Sequence, residues 1–596
     1  MTDTLRKCLR LLGRGSRMRW LAVVALALVV SVFEASGALL VFALLGLATE
    51  PDRVDLPVVG DLRELLPDMS QRELLTWAAA ILAVFFLFRA VTFVVQAYLQ
   101  HRVAQNAAGR LAVRLLGGYL RLPYEMHLRR SSAELIRNAY DSVQVLATEV
   151  LVPAARIISQ MFIAFAIFGV LMVSAPVATL LAGAVLGPTV VLLLRVIQPW
   201  LKSLGRTREA MAQTSIQSLQ QSLQGMRDIK VLGREGYFKR DFGVQRQALA
   251  RAMYLRGAAS DIPKVIMETT LILFILGFFA VTVVGGTASG EVLSVLGLFA
   301  YAALRLQPAL NTVVHGLNSL RFATPAIDQL ADDLTLIEAS AAASSAGVSV
   351  APLPFRDAIE LRDVCFRYAG TETAVLRGVN ITIAPGESIG LVGPTGGGKS
   401  TLVDITLGLL EPTSGRVTID GVDLRDHVAA WQQNLGVVFQ QVFLVDDSLR
   451  RNICLGLSDT EVDESRVAEA VQVAQLAAVV AALPDGLDTV VGERGVRLSG
   501  GQRQRVAIAR AIYRDPSVIV FDEGTASLDT VTESQIIAAL EAMRGRRTLI
   551  TVAHRLATVR NCDRILLIAD GQIAEAGNYD DLLARSAAFR AMAGAS

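Results

Sequence analysis

The segment from Gly393 through Pro394, Thr395, Gly396, Gly397, Gly398, Lys399 and Ser400 to Thr401 follows a short apolar run, Ile389 to Val392, and leads into a helical pattern. Glycines at this spacing let backbone N–H groups close around phosphates, and a helix starting at the loop adds its dipole. Lys399 then reaches the outer phosphates of a nucleotide and Ser400 ligates Mg2+. A second apolar run, Val518 to Phe521, ends in Asp522-Glu523. An Asp at that strand end sits beside the metal through water, and the Glu after it orients and deprotonates an attacking water. Alone, an apolar strand ending in two acids is commonplace. A third group, Leu498-Ser499-Gly500-Gly501-Gln502, stands immediately before the helical stretch Arg503 to Ile512. Its serine and paired glycines expose backbone donors at a helix start, which also suits a phosphate. Glycine loop, glycine pair and acidic strand end, in that chain order, predict phosphoryl transfer to water.

These groups must be held by more than one ordinary domain, because the chain has 596 residues. From about residue 356 onward, short β-rich runs alternate with glycines and amphipathic helices, the pattern of an α/β domain. Before it lies an uncharged Ala/Ser/Gly/Val/Pro stretch, Ala339 to Pro354, read as linker. The predicted division is 1–330, a linker over 331–355, and 356–596.

The first division is a different kind of polymer. A mean hydropathy of +0.46 and 53% hydrophobic residues point to membrane spans. Runs near 21–48, 74–99, 157–173, 177–194, 262–284 and 292–314 are each long enough, or nearly so, to cross about 30 Å of hydrocarbon as a helix. The first exceeds the apolar stretch of a secretory signal and reads as a retained helix. Two long, Arg/Lys-rich insertions follow the second and fourth spans, while the first loop carries Asp52, Asp55, Asp61, Glu64, Asp68 and Glu73. That bias puts both insertions and both termini in the cytoplasm. The turns around Pro123 to Arg130 and Gln220 to Arg227 are the natural contacts to a soluble motor. Leu56 to Leu66 fits either an amphipathic surface helix or an ordinary loop. A net charge of +2 gives no sign of a nucleic-acid partner, and four scattered cysteines fit neither a disulfide framework nor a zinc site.

The three phosphate-related motifs together resemble the ABC ATPases, over roughly 356–596. That resemblance implies further roles. Tyr368 matches the aromatic residue that stacks on adenine, and Gln440 the glutamine joining the metal site to the membrane-domain contact. Gly492 to Gly495 resembles an exporter-specific segment, and His554 the histidine that contacts the γ-phosphate. Ala526-Ser527-Leu528-Asp529 corresponds to the D-loop, where Ser-Ala-Leu-Asp is more usual. Lys399, Glu523 and His554 are thereby the catalytic set, with Ser400, Gln440 and Asp522 at the metal. In the family ATP is sandwiched between the loop of one domain and Leu498–Gln502 of another. One chain has one of each and no internal repeat, so a homodimer is expected.

Membrane half before ATPase resembles ABC exporters: an all-α six-helix transmembrane domain followed by an α/β P-loop ATPase domain, in the inner (cytoplasmic) membrane. Glu34-Ala-Ser-Gly37, Ile229 to Glu235, Arg305 to Asn311 and Leu317 to Phe322 are similar to bacterial lipid-linked oligosaccharide flippases of the PglK type. In those, cavity arginines are thought to neutralise a pyrophosphate; Arg89, Lys264 and Arg305 match by position, Lys264 being a departure from arginine. Charges inside spans are expensive and usually face a bundle interior or wet cavity. Glu34 with Arg89, or Lys264 with Glu268, are alternatively neutralising pairs. The expected function is ATP-driven flipping of a polyprenyl-pyrophosphate oligosaccharide or similar amphipathic lipid; the alternative is export of peptides, drugs or other amphipathic compounds.

Overall fold

The structure is a computed structural model. It describes residues 2–49, 55–56, 60–61, 71–174, 176–284, 290–343, 351–522, 534–535, 538–539, 541–553 and 555–595. The chain divides into a helical unit, 1–122 with 127–342, and an α/β unit, 343–596 with 123–126.

Six long helices dominate the first unit: Arg14–Thr49, Gln71–Tyr119, Val152–Ser174, Pro176–Gln224, Glu235–Val284 and Gly290–Ala343. Each contains one predicted span, and four run far past it. A helix rises about 1.5 Å per residue, so some 20 residues cross the hydrocarbon and the remainder of a 49-residue helix projects beyond it. The turns at Pro123 to Arg130 and Gln220 to Arg227 contain short helices, Tyr124–Arg129 and the start of Met226–Leu232. Around Leu56 the described residues form an antiparallel pair, β1 (Asp55–Leu56) with β2 (Gly60–Asp61), not a helix. The linker is also shorter than 331–355. The last long helix continues to Ala343 because Leu330 and Leu334, at 0% and 1% exposure, keep its apolar face covered.

That last helix is the hub of the unit. Val314 and Phe322 join Leu193, Ile197, Leu201, Ala259 and Met267 in a core drawn from three long helices. Its approach to helix Pro176–Gln224 is backbone-close: a Cβ on Gly205 would lie 2.2 Å from the Phe322 carbonyl oxygen. Only glycine fits there. Lower down, the carboxylate of Asp333, 2% exposed, accepts from Arg130 Nη1 at 2.7 Å, Asn138 Nδ2 at 2.8 Å and the Tyr119 hydroxyl. Arg137, buried beside them, donates to Gln329 Oε1 at 2.7 Å and the Glu209 carbonyl at 2.9 Å. A buried ion of either sign is tolerated only when its hydrogen bonds are made. Here they tie the segment after helix Tyr124–Arg129 to two long helices.

The second unit is built on two sheets. One is antiparallel, in the order β4 (Leu376–Ile383), β3 (Ile359–Phe366), β6 (Ser414–Ile419), β7 (Val422–Asp423). The other runs β12 (Gln572–Gly577), β11 (Arg564–Ala569), β5 (Ser388–Val392), β10 (Thr548–Val552), β9 (Val518–Asp522), β8 (Leu435–Val438). It is parallel except for the edge strand β12. Strands β5 and β10 are buried along their whole length, as expected when both faces of a parallel sheet are covered. One face packs Leu391, Val520 and Ile550 on helix Lys399–Thr406 and Trp431; the other packs Ile519, Phe521 and Leu549 on Val506 and Ile508 of helix Gly500–Tyr513. The chain's entry is pinned as well. Asn434 Nδ2 donates to Leu353 O at 2.7 Å, and the Asp420 carboxylate accepts from the amides of Arg356, Asp357 and Ala358 at 2.7–2.9 Å.

Candidate functional site

Strand β5 delivers the chain into the glycine loop at an edge set by the sheet. Gly393 has φ +147, and a Cβ there would meet the Ile568 carbonyl oxygen at 2.0 Å, so the first loop position admits no side chain. The loop returns through Gly398, which caps helix Lys399–Thr406. Lys399 is only 5% exposed, and its ammonium arches back to donate to Gly393 O at 2.8 Å and Pro394 O at 3.0 Å. Amides, a buried ammonium and a helix start thus converge on one concavity, which fits a chain of phosphates. Tyr368 belongs to the same site: its hydroxyl lies 3.2 Å from Thr401 Oγ1, and its ring stands edge-on to Phe366 with centroids 4.9 Å apart.

Parallel register brings the other groups to this edge. Val552 pairs with both Leu391 and Asp522, and Val438 pairs with Phe521. Asp522, the exposed Gln440 and Ala553 therefore leave the sheet at the end where the glycine loop begins. Glu523, Asp529 and His554 lie outside the described residues. One acid was missed from sequence. Asp404 sits one helical turn after Ser400 on the same helix face. Burial, and next the charge of Asp522, push its carboxyl up to about 6. The Ser400 hydroxyl and the Asp522 carboxylate are hard oxygen donors of the kind that Mg2+ takes. No sequence pattern singled it out, since one acid on a helix carries none.

The Leu498–Gln502 group lies on the other flank of the sheet. Leu498 is buried, and Ser499, exposed, caps helix Gly500–Tyr513. Ser499 Oγ accepts from Gln502 N at 3.2 Å, while Gln502 Oε1 accepts from Ser499 N at 2.8 Å. With its oxygen engaged inward, the serine O–H is left to donate outward, beside the first-turn amides of Gly500 and Gly501. Further along the helix Arg510, unremarked in the sequence, donates to Phe443 O and Asn452 O, both at 2.8 Å. It ties the loop that carries Gln440 to the helix headed by Ser499.

In the helical unit, Arg89 is half-buried with its guanidinium 5.4 Å from the Phe86 ring centroid. Lys264 and Glu268 are both exposed, and among the described residues no ion pair joins them. The side chains of Arg305 and Glu34 lie outside the described residues. Within the Leu317–Phe322 segment, Asn318 is 1% exposed with neither side-chain amide atom hydrogen-bonded.

Comparison with known proteins fits both units. The ABC transporter transmembrane region matches residues 21–306 and the ABC transporter family matches 376–526. The ATP-dependent lipid A-core flippase of Ralstonia nicotianae is 33% identical over 415 residues, 68% of each chain. That of Thiobacillus denitrificans is 29% identical over 525 residues, 87% of this chain and 88% of its own. The flippase of Burkholderia orbicola is 44% identical, over 38% of each chain. A solved bacterial Atm1-family ABC exporter with ATP bound covers 97% of this chain and 98% of its own, with TM-score 0.77 and 25% identity. The chain belongs to the ABC transporter family, as an exporter-type half-transporter with its membrane domain and ATPase domain fused.

Proposed function

We propose that two copies of this chain form a flippase in the cytoplasmic membrane, with the ATPase units on the cytoplasmic side. Its substrate is a lipid carrying a pyrophosphate-linked oligosaccharide, moved outward. The observation that carries the lipid reading is the likeness, over most of the chain, to proteins named as lipid A-core flippases. The pyrophosphate reading adds basic residues in apolar spans, Arg89, Lys264 and Arg305.

ATP lies between the glycine loop of one copy and Ser499 of the other. Lys399 and the loop amides hold the β- and γ-phosphates; Tyr368 takes the adenine. Ser400 and Gln440, with Asp522 through water, would hold Mg2+, which would supply charge neutralisation to the phosphates. Glu523 orients a water and accepts its proton as the new P–O bond forms and the bond to the ADP oxygen breaks. Lys399, His554 and the partner's serine hydroxyl stabilise the charge that gathers on the γ-phosphoryl oxygens. ATP favours the closed dimer and hydrolysis releases it, a population shift that alternates the access of the substrate cavity.

The test is translocation in proteoliposomes of a labelled polyprenyl-pyrophosphate sugar, a lipid A-type glycolipid and an amphipathic peptide, with ATP hydrolysis recorded in parallel. ATP-dependent movement of the first is expected. Movement of the glycolipid alone keeps the flippase and replaces its substrate; movement of the peptide alone overturns the lipid reading.

A further inference from the structure

The first helix, Thr2–Leu11, is joined by a short kink to helix Arg14–Thr49. Cys8, Leu11 and Leu12 are each 3% exposed or less, so one face of this N-terminal segment is part of the core. Its basic residues divide into two sets. Lys7 Nζ donates to Asp328 Oδ1 at 2.6 Å and Arg10 Nη2 to Glu338 Oε2 at 2.9 Å, both acids lying on helix Gly290–Ala343. Arg17 Nε donates to Leu12 O at 2.8 Å and closes the kink. Arg6, Arg14 and Arg19 are exposed, and among the described residues none of the three is ion-paired. Next to them Met18 is 74% and Leu21 54% exposed, where the first span begins.

The geometry points to a second lipid site: Arg6, Arg14 and Arg19 bind anionic phospholipid headgroups, and Lys7–Asp328 and Arg10–Glu338 relay that binding to the sixth-span helix. It rests on the cytoplasmic placement of the N-terminus proposed above. Three cations beside exposed apolar side chains at the end of a span are complementary to an acidic leaflet. Each such residue near an anionic surface favours binding by roughly fivefold, so the set amounts to about a hundredfold. Salt weakens the contact, since exposed charges are screened within about 10 Å at ordinary ionic strength. The relay has a fixed anatomy. Glu338 also accepts from Arg114 Nη2 at 3.0 Å, so it receives Arg10 through one oxygen and the second-span helix through the other. Holding helix Thr2–Leu11 at the headgroups therefore holds the end of helix Gly290–Ala343, the part that leads toward the ATPase unit in sequence.

The full chain is reconstituted in nanodiscs of pure phosphatidylcholine and in phosphatidylglycerol-rich ones, and amide hydrogen exchange is followed over 2–19 and 333–343. In the acidic bilayer both segments are expected to exchange about tenfold more slowly. The triple variant Arg6→Gln, Arg14→Gln, Arg19→Gln should show phosphatidylcholine behaviour in both bilayers. The double variant Asp328→Asn, Glu338→Gln should keep the protection of 2–19 and lose that of 333–343. Equal exchange in the two bilayers, or a triple variant that still responds, overturns the lipid site; a double variant still protected over 333–343 overturns the relay. Accessibility of a label at residue 2 in inside-out vesicles checks the topology by itself: a cytoplasmic N-terminus with no lipid response sinks the site and leaves the flippase reading standing.

Discussion

Ser499 and Gln502 cap each other, hydroxyl oxygen to backbone amide at 3.2 Å and backbone amide to side-chain carbonyl at 2.8 Å. The reciprocal bond fixes the serine rotamer, so its remaining proton and the adjoining amides point away from the domain that carries them. In the proposed dimer they complete the ATP site of the partner chain.

Forced heterodimers test that. With Ser499→Arg on one chain and Lys399→Ala on the other, one composite site collects both lesions and the second stays intact. Carrying both substitutions on a single chain damages both sites. ATP hydrolysis should persist in the first arrangement and nearly vanish in the second; equal residual rates would count against the cross-chain geometry.

Gly393 and Gly396 should respond differently to alanine. At Gly393 the new Cβ would sit 2.0 Å from Ile568 O, whereas Gly396 faces open space and bears only the strain of φ +82. Gly396→Ala costs about 1–2 kcal/mol of loop strain. Gly393→Ala must shift the β5–β11 edge and abolish nucleotide binding. Binding of a fluorescent ATP analogue by each purified variant decides between them, and equal affinities would refute the contrast.

For the chemistry, Glu523→Gln keeps shape and removes the base. ATP should still bind while turnover drops at least about a hundredfold, trapping a closed dimer. Near-normal hydrolysis by the purified variant would remove Glu523 from its role.

Asp420 gives a pH test. Partial burial raises its carboxyl, but the three amides of Arg356, Asp357 and Ala358 and the Arg356 charge outweigh that and hold it below the usual carboxylate range. A depressed folded value contributes stability present above the unfolded pKa, about 4, and lost as pH falls through the folded one. Asp420→Asn should lower the stability of the ATPase unit at pH 7 by about 0.5–1 kcal/mol, the low range because the group is only partly buried. Thermal unfolding at a series of pH values should show the gap closing below about pH 4. A gap independent of pH would mean that the carboxylate charge plays no part.

Arg305→Ala, Arg89→Ala and Lys264→Ala should each impair transport far more than basal hydrolysis. A charge-assisted contact to phosphate contributes about 1.5–3 kcal/mol, so losing one weakens headgroup binding roughly ten- to a hundredfold. Parallel falls in transport and ATPase rate, with loss of folded protein, would instead make these charges structural.

The ATPase half was legible because its chemistry forces residue types at fixed spacing: a loop that cradles phosphates needs Gly393 to Gly398 beside Lys399, and a buried strand must end at Asp522. Asp404 escaped because one acid on a helix carries no pattern until Asp522 is seen near it. The end of the last long helix was misplaced for a different reason. Hydropathy marks where lipid stops and is silent on how far a helix continues, so Leu334 was placed in the linker until its burial was visible. The Asp333 cluster, assembled from residues about 200 apart in sequence, had no local signature at all.

The contact of Gly205 with Phe322 works as a detent between two helices. Backbone touching backbone cannot slide by a residue without collision, so the register of helix Pro176–Gln224 against helix Gly290–Ala343 is set at that point. Leu193, Ile197 and Leu201 on one side of it keep the two helices packed in the same register. Any bulkier residue at 205 would part the backbones there and loosen that register without touching ATP or substrate.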